Sequence, residues 1–419
     1  MSPTRLDRRG FLIGGLAGGA AVAGITIATH QTSGTTVPLV DLGAEPAGLP
    51  SRQHAWQDTL STDRYGNPIA PRYDRLLFFE VGGHPTPRHA RMLEASLRTL
   101  ERAFRWGPSG LLFTAGWGHA YFAELLKTTS PIPRATGLSD FELPAIDDYH
   151  LCLHLACDDE QRLAAIEAAL LHGEPLAGAA GHLQLTDALR WRETRTGFTG
   201  AGIPAAHQRV GGIPAGDPVP KTSPLFMGFK SGLKKNQATE DAVTIADGQF
   251  AGGTTMTVSY MRLRLASWYE DLTEEERIAR MYSPETTAAD VARFTTDAES
   301  NPGELNQAIS RYGVIGHSQT SARARVGGKP RIIRRDFDTV DGGQAGVHFV
   351  SVQRAIADFV ATRTAMNATS AQLLNPGITD TVNNGINEFM FVLKRGNYIL
   401  PPRADRSFPL LPGRGSLLT

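Results

Sequence analysis

The segment GVIGHSQTSARARVGGKPRIIRR holds one imidazole, His317, and two guanidiniums, Arg334 and Arg335, 17 and 18 residues further on. An imidazole nitrogen can ligate a metal or move a proton near neutral pH. A guanidinium is a fixed cation that can stabilise negative charge as it develops. Taken alone, a histidine is more often a structural residue than a ligand. IIRR reads as a strand, and successive strand side chains point to opposite faces, so only one of the two arginines can face a given pocket. The small-residue turn from Gly313 to Gly316 leaves room for a planar group beside the backbone. A second stretch, MGFKSG, brackets Phe229, Lys230 and Ser231 between Gly228 and Gly232. So little bulk and so much turn character implies a backbone held close to something. Its most exposed slot carries a serine, which can donate and accept hydrogen bonds but is no base near neutral pH without a partner of its own.

Other chemistries find no support. GLAGGA is not GxxxxGK[ST], no GxGxxG follows a strand and opens a helix, and neither HExxH nor CxxC occurs, so phosphate loops and zinc sites are unsupported. GHSQT has the wrong residue order for a nucleophile elbow. Basic and acidic residues balance at 42 each, so no global field recruits nucleic acid or an anionic membrane. Cys152 and Cys157 lie five apart on an expected strand, point to opposite faces, and read as two buried small hydrophobes rather than a disulfide. His348, and His119 and His154 in the first half, fall on expected strands and read as structural. Trp268 and Tyr269 read as packing residues, with surface electron relay as the alternative.

The elements that must position these residues form two successive α+β units. In the first, RLLFFEV is a buried-strand pattern and Thr86-Pro87 opens a helix with an apolar stripe at Met92, Leu93, Leu97, Leu100 and Phe104. GLLFTAGWGHAYF and YHLCLHLAC are strands, DDEQRLAAIEAALLHG is a helix, and a strand is expected around Ala188–Trp191. Residues 192–222 are rich in glycine and proline and read as a loop. The second unit places strands at GGTTMTVSYMRLRL, KPRIIRRDFD and AGVHFVSVQ, and helices at LTEEERIARMYS and AIADFVATRTAMN. The length, 419 residues, allows two or three domains or one large one at roughly 150 residues each.

At the N-terminus, Arg8-Arg9 precede an apolar run from Phe11 to Ala28, which fits a twin-arginine export signal over 1–30. Small residues at Ala21-Val22-Ala23 suit cleavage, and an uncleaved membrane tether is the alternative. That route carries folded proteins, often with a cofactor inserted. Residues 31–70 read as an irregular arm.

The order of these blocks resembles the dye-decolorising peroxidase family, including its exported deferrochelatase-like branch, from about residue 73 to 402. RLLFFEV, LLFTAGWGHAYF, FELPAIDDYHLCLHLACDDEQ and RWRETRTGF resemble successive blocks of the family's first domain. PLFMGFKSG resembles its MGFKDG loop, FAGGTTMTVSYMRLRLASW the strand after it, GHSQTSARA the proximal-histidine segment and IIRR the strand with the distal arginine. The resemblance implies an α+β protein of two tandem ferredoxin-like halves with antiparallel sheets, of the dimeric α+β barrel type. The halves would span 71–215 and 216–405, followed by a tail, 406–419. It implies haem b in the second half, with His317 as the iron ligand and a carboxylate behind its ring. Arg334 would be the distal cation, since the family uses the first arginine of the motif, with Arg335 as the competing assignment. Gly228, Phe229, Lys230 and Gly232 would lie over the haem, and Phe349 and Phe359 would pack against the haem or the core. Ser231 occupies the position of the family's acid, so slower acid–base catalysis is expected; Glu240 and Asp241 just downstream are candidate replacements. The implied partners are hydrogen peroxide, an organic or metal donor and the twin-arginine machinery, with no nucleic acid; a homo-oligomer is compatible. The alternative is a non-catalytic haem-binding or haem-handling protein.

Overall fold

Ten strands carry the described residues of the computed structural model, which are 40–413 apart from 182, 186 and 293–304. They are β1 (Tyr73–Val81), β2 (Leu112–Gly118), β3 (Ala145–Ile146), β4 (Leu151–Cys157), β5 (Leu189–Phe198), β6 (Thr254–Leu263), β7 (Ile332–Arg334), β8 (Phe337–Thr339), β9 (Gly346–Gln353) and β10 (Met390–Leu400). The helices that matter here are α1 (Pro87–Ala103), α2 (Glu160–His172), α3 (His317–Ala322) and α4 (Ile356–Ala365). The chain divides into Met1–Asp41 and Leu42–Thr419. The expected export signal lies outside the described residues. No helix among the described residues is long and apolar enough to cross a membrane.

The first half runs β1-α1-β2-β4-α2-β5, and its strands lie side by side as β2-β4-β1-β5. The second half repeats that order with β8-β9-β6-β10. Each is the ferredoxin-like arrangement. Phe198 of β5 pairs with Asp338 of β8, and β10 pairs with β2 through Tyr398–Gly118 and Ile399–Trp117. The two sheets thereby close into one barrel whose ladders are antiparallel; the short β3 adds to β10 in parallel.

Period-two alternation sorts the core. Leu76, Phe78, Cys152, Val258, Val350 and Tyr398 fill the barrel interior. On the outer face of the first half, Leu77, Leu153 and Leu155 meet Leu93, Leu97 and Leu100 of α1. Cys152 and Cys157 are free and buried in different clusters, on opposite faces of β4. On the outer face of the second half, Met261, Leu263 and Val347 meet Phe226, Trp268 and Phe389, and this layer contains the site.

Three expectations are corrected. Residues 192–198 continue β5 rather than opening a loop. Gly197 is there because a Cβ would lie 2.2 Å from the Asp338 carbonyl oxygen, so the glycine marks close approach of β8, not a turn. KPRIIRRDFD is two short strands with a break at Arg335-Asp336. His119 follows β2 rather than lying on it, with Nδ1 2.9 Å from the carbonyl oxygen of Ile132. β10, which closes the barrel, was not anticipated.

Candidate functional site

The MGFKSG loop is held from every side. Gly228 and Gly232 have φ of +91° and +75°, a region that side chains with a Cβ rarely adopt. Trp268 Nε1 donates to the Met227 carbonyl at 3.0 Å and Tyr269 Oη to the Phe226 carbonyl at 2.5 Å. Both rings therefore brace the loop, and Trp268 is fully buried rather than at the surface. Lys230 Nζ reaches Asp63 of the N-terminal arm at 2.6 Å, and the Lys234 amide donates to Asn67 Oδ1 at 3.0 Å. Its ion pair and the amide donors of Tyr65 and Asn67 hold the Asp63 carboxyl down to about 2 despite some desolvation. Ser231 Oγ donates to Asp336 Oδ1 at 3.1 Å. The serine thus has a carboxylate partner, and it comes from the strand segment carrying the arginines.

His317 opens α3 directly after Gly316. A Cβ on Gly316 would lie 1.8 Å from the Tyr282 carbonyl oxygen, and one on Gly385 would lie 2.9 Å from His317 Cα. These glycines let neighbouring backbone pack around the histidine; the turn is not a platform for a planar ligand. The residue is half-buried, and its open surface borders three adjoining clefts of about 660, 580 and 760 Å³. Desolvation, with Arg334 and Arg363 adding, pushes its pKa down to about 3, so the imidazole is neutral and available as a ligand. No carboxylate is bonded to the ring among the described residues. Glu142, which lines the same cleft, is engaged by Arg363 at 2.7 Å and Arg395 at 2.8 Å.

The strand segment 334–338 separates its side chains by face. Arg334, Asp336 and Asp338 border the largest of the three clefts together with His317 and Phe349. Arg335 borders none of these three clefts, and its guanidinium carbon lies 3.8 Å from the centre of the Trp56 ring, although both arginines border an outer channel. Among the described residues the Arg334 guanidinium has no hydrogen-bonded partner, while its backbone is clamped by Gln237 at 2.7 and 3.1 Å. Burial lowers its pKa. Asp338 is buried beneath the loop and accepts from the Phe226 amide, and desolvation raises its pKa. Phe229 and Lys230 line the cleft with Ser231. Gly228 does not border it and acts through the turn, whereas Gly232 borders an outer channel of about 1430 Å³ walled by the N-terminal arm.

The suggested replacement acids are elsewhere. Glu240 accepts from the amides of Trp56 and Gln57 at 2.6 and 2.8 Å, and Asp241 pairs with Arg52 at 2.6 Å on the surface. Both anchor the arm and border neither the clefts nor the channel. His348 and His154 are buried and paired with Asp341 at 3.1 Å and Asp74 at 2.7 Å, as structural residues. Phe359 lines a cleft 6.2 Å from Phe349, ring centre to ring centre. Asp336 was missed; two residues beyond Arg334 on a strand, it shares that residue's face, and this period-two relation was the available signal.

The site's donor set suits a metal that already carries other ligands. Among the described residues no group of three or more His, Cys, Asp or Glu could hold a bare ion. A lone neutral imidazole, an unpaired guanidinium and the orphaned Asn236 Oδ1 instead border clefts otherwise lined by Met227, Met261, Val347, Phe349 and Met390.

The barrel has the fold of solved dye-decolorising peroxidases. A Rhodococcus jostii DypB variant in complex with heme is 13% identical at a TM-score of 0.54, covering 85% of this chain and 98% of its own. A Shewanella oneidensis protein described as DyP-type is 15% identical at 0.54, covering 80% and 94%. A dye-decolorizing protein from V. cholerae is 14% identical at 0.51, covering 81% and 97%. No curated protein matches the sequence. The chain belongs to the family of unknown function DUF7405, whose profile matches residues 71–402.

Proposed function

We propose that this chain is an exported haem b peroxidase of the dye-decolorising type, reducing hydrogen peroxide and oxidising an organic or metal donor. One observation carries the reading: a half-buried, neutral His317 and an Arg334 guanidinium with no hydrogen-bonded partner among the described residues border the same cleft. When bound, haem would supply the iron centre and the two-electron chemistry. His317 would hold the iron, and Phe349 and Phe229 would pack against the macrocycle. The mixed apolar and cationic lining, with Arg325 and Arg331 on one cleft, suits a flat ligand with carboxylates at its edge. Arg334 has every guanidinium donor free for peroxide and for the charge on the departing oxygen. Residues 71–215 and 216–405 form the two halves, and the export machinery acts on 1–30.

The test is a Soret band in the purified protein together with peroxide-dependent oxidation of a dye. His317→Ala should abolish haem retention; unchanged haem content removes the ligand assignment. A non-catalytic haem-binding protein is the second reading, favoured by Ser231 in the position of the family's acid. Haem uptake with no peroxide consumption would select it.

A further inference from the structure

The acid missing from MGFKSG is replaced from another element. We propose that Asp336 is the proton-transfer group of the site, with Ser231 as its positioning hydroxyl; this rests on the haem reading above. Asp336, Ser231, Lys230, Arg334 and Leu225 border both the cleft of His317 and the outer channel, so they form the partition between them. A small molecule entering past the arm meets this partition first. Within it Asp336 is the only carboxylate.

Competing carboxylates are committed elsewhere. Asp338 is 2% exposed and accepts the Phe226 amide. Asp74 borders only the channel and is bonded to His154. Asp63 is held by Lys230 and by the amides of Tyr65 and Asn67. Asp336 accepts one hydrogen bond, from Ser231, and its second oxygen has none among the described residues. Its charge acts on Arg334, Asp338 and Asp74, and Lys230 flanks it from the loop. The loop serine aims the carboxylate, and Arg334 lies two residues away on the same face.

In the reaction, a carboxylate oxygen of Asp336 takes the proton from one oxygen of hydrogen peroxide. It returns that proton to the other oxygen, which leaves as water as the O–O bond breaks. Haem, when bound, would supply the electron pair, and two electrons and two protons from the donor would restore it and release the remaining oxygen as a second water.

Cyanide binding to the haem-loaded protein tests this without turnover. Hydrogen cyanide binds haem iron as the anion, so a nearby base speeds association by taking its proton. Followed as a Soret shift in stopped flow, Asp336→Asn should slow association on the order of 100-fold, the scale of losing one general base. Asp336→Glu should stay within about tenfold of the parent, since it keeps the base. Ser231→Ala should move the pH midpoint of the association rate, which a purely structural serine would not do. Equal rates in Asp336→Asn and parent, or loss of rate in Asp338→Asn instead, overturn the proposal while leaving the haem reading standing. If Asp336→Asn does not fold, an unmoved pH profile in Ser231→Ala overturns the pairing. A parent that takes up no haem overturns the reading and the proposal together.

Discussion

Arg335 lies over the Trp56 ring, 3.8 Å from guanidinium carbon to ring centre, while its neighbour Arg334 borders the cleft of His317 and has no hydrogen-bonded partner among the described residues. Arg335 NH2 also donates to the His54 carbonyl at 2.5 Å, with Glu240 4.0 Å away. One arginine therefore ties down the N-terminal arm, and the other has only its backbone clamped, by Gln237.

This contrast predicts opposite effects on stability. Arg335→Leu removes a desolvated cation–π contact and a charged hydrogen bond, and should cost about 2–4 kcal/mol. Arg334→Leu removes a desolvated cation that has no hydrogen-bonded partner among the described residues, with the through-space charge of Asp336 nearby, and should leave the haem-free protein as stable as the parent or more so. The same substitution should lower peroxide turnover on the order of 100-fold, the usual effect of losing a charge-stabilising donor. Thermal melts and turnover assays of both variants check this; equal destabilisation by the two would refute the division of labour.

His54 makes the fold pH-sensitive. Burial, with Arg335 and Arg52 adding, pushes its pKa from 6.5 down to about 3. Between those values the unfolded chain binds a proton that the folded chain does not, so stability rises with pH there and levels off above about 6.5. The slope from this residue is about 1.4 kcal/mol per pH unit. His54→Gln keeps a group able to reach Thr244 Oγ1, the present partner of Nε2 at 2.8 Å, and should lower the slope by that amount between pH 4 and 6. Denaturant midpoints across that range decide the matter; an unaltered slope counts against it.

Asp63 behaves in the reverse sense. Its pKa is depressed to about 2, so the Lys230 clamp is fully present above about 4 and is lost as pH falls toward 2. At neutral pH, Lys230→Met should release the loop. Amide exchange over 226–234 is expected to rise several-fold while exchange in β4 and β9 stays the same. No change in the loop would show that Trp268 and Tyr269 hold it alone.

The two cysteines should be inert. Burial raises both thiols, that of Cys157 to about 11, and neither has a sulfur partner. Alkylation monitored by mass should proceed only in denaturant, at one rate for both residues. Rapid labelling of the native chain would contradict their burial.

Much of this was legible in one dimension. Apolar runs and the caps of α1 and α2 gave the order of strands and helices in the first half, because strand and helix periodicity is a local property of the chain. The separation of Arg334 from Arg335 followed from the same period of two. β10 was overlooked although MFVLKRGNYIL is an apolar stretch ending at Pro401-Pro402. β5 was cut short because glycine was read as a turn, and only the distance to Asp338 shows that Gly197 is required by packing.

The sequence by itself determined which side chains were available: one histidine after a glycine turn, a pair of arginines on a strand, and a serine where an acid was expected. Tertiary structure alone decided the partners. Ser231 and Asp336 are 105 residues apart in the chain and 3.1 Å apart in space. Glu240 and Asp241, nearer in sequence, were drawn away to the arm by Trp56, Gln57 and Arg52. Hydrogen bonds act over a few ångströms. Which groups come that close depends on strand pairing and barrel closure, which no local pattern of residue types records.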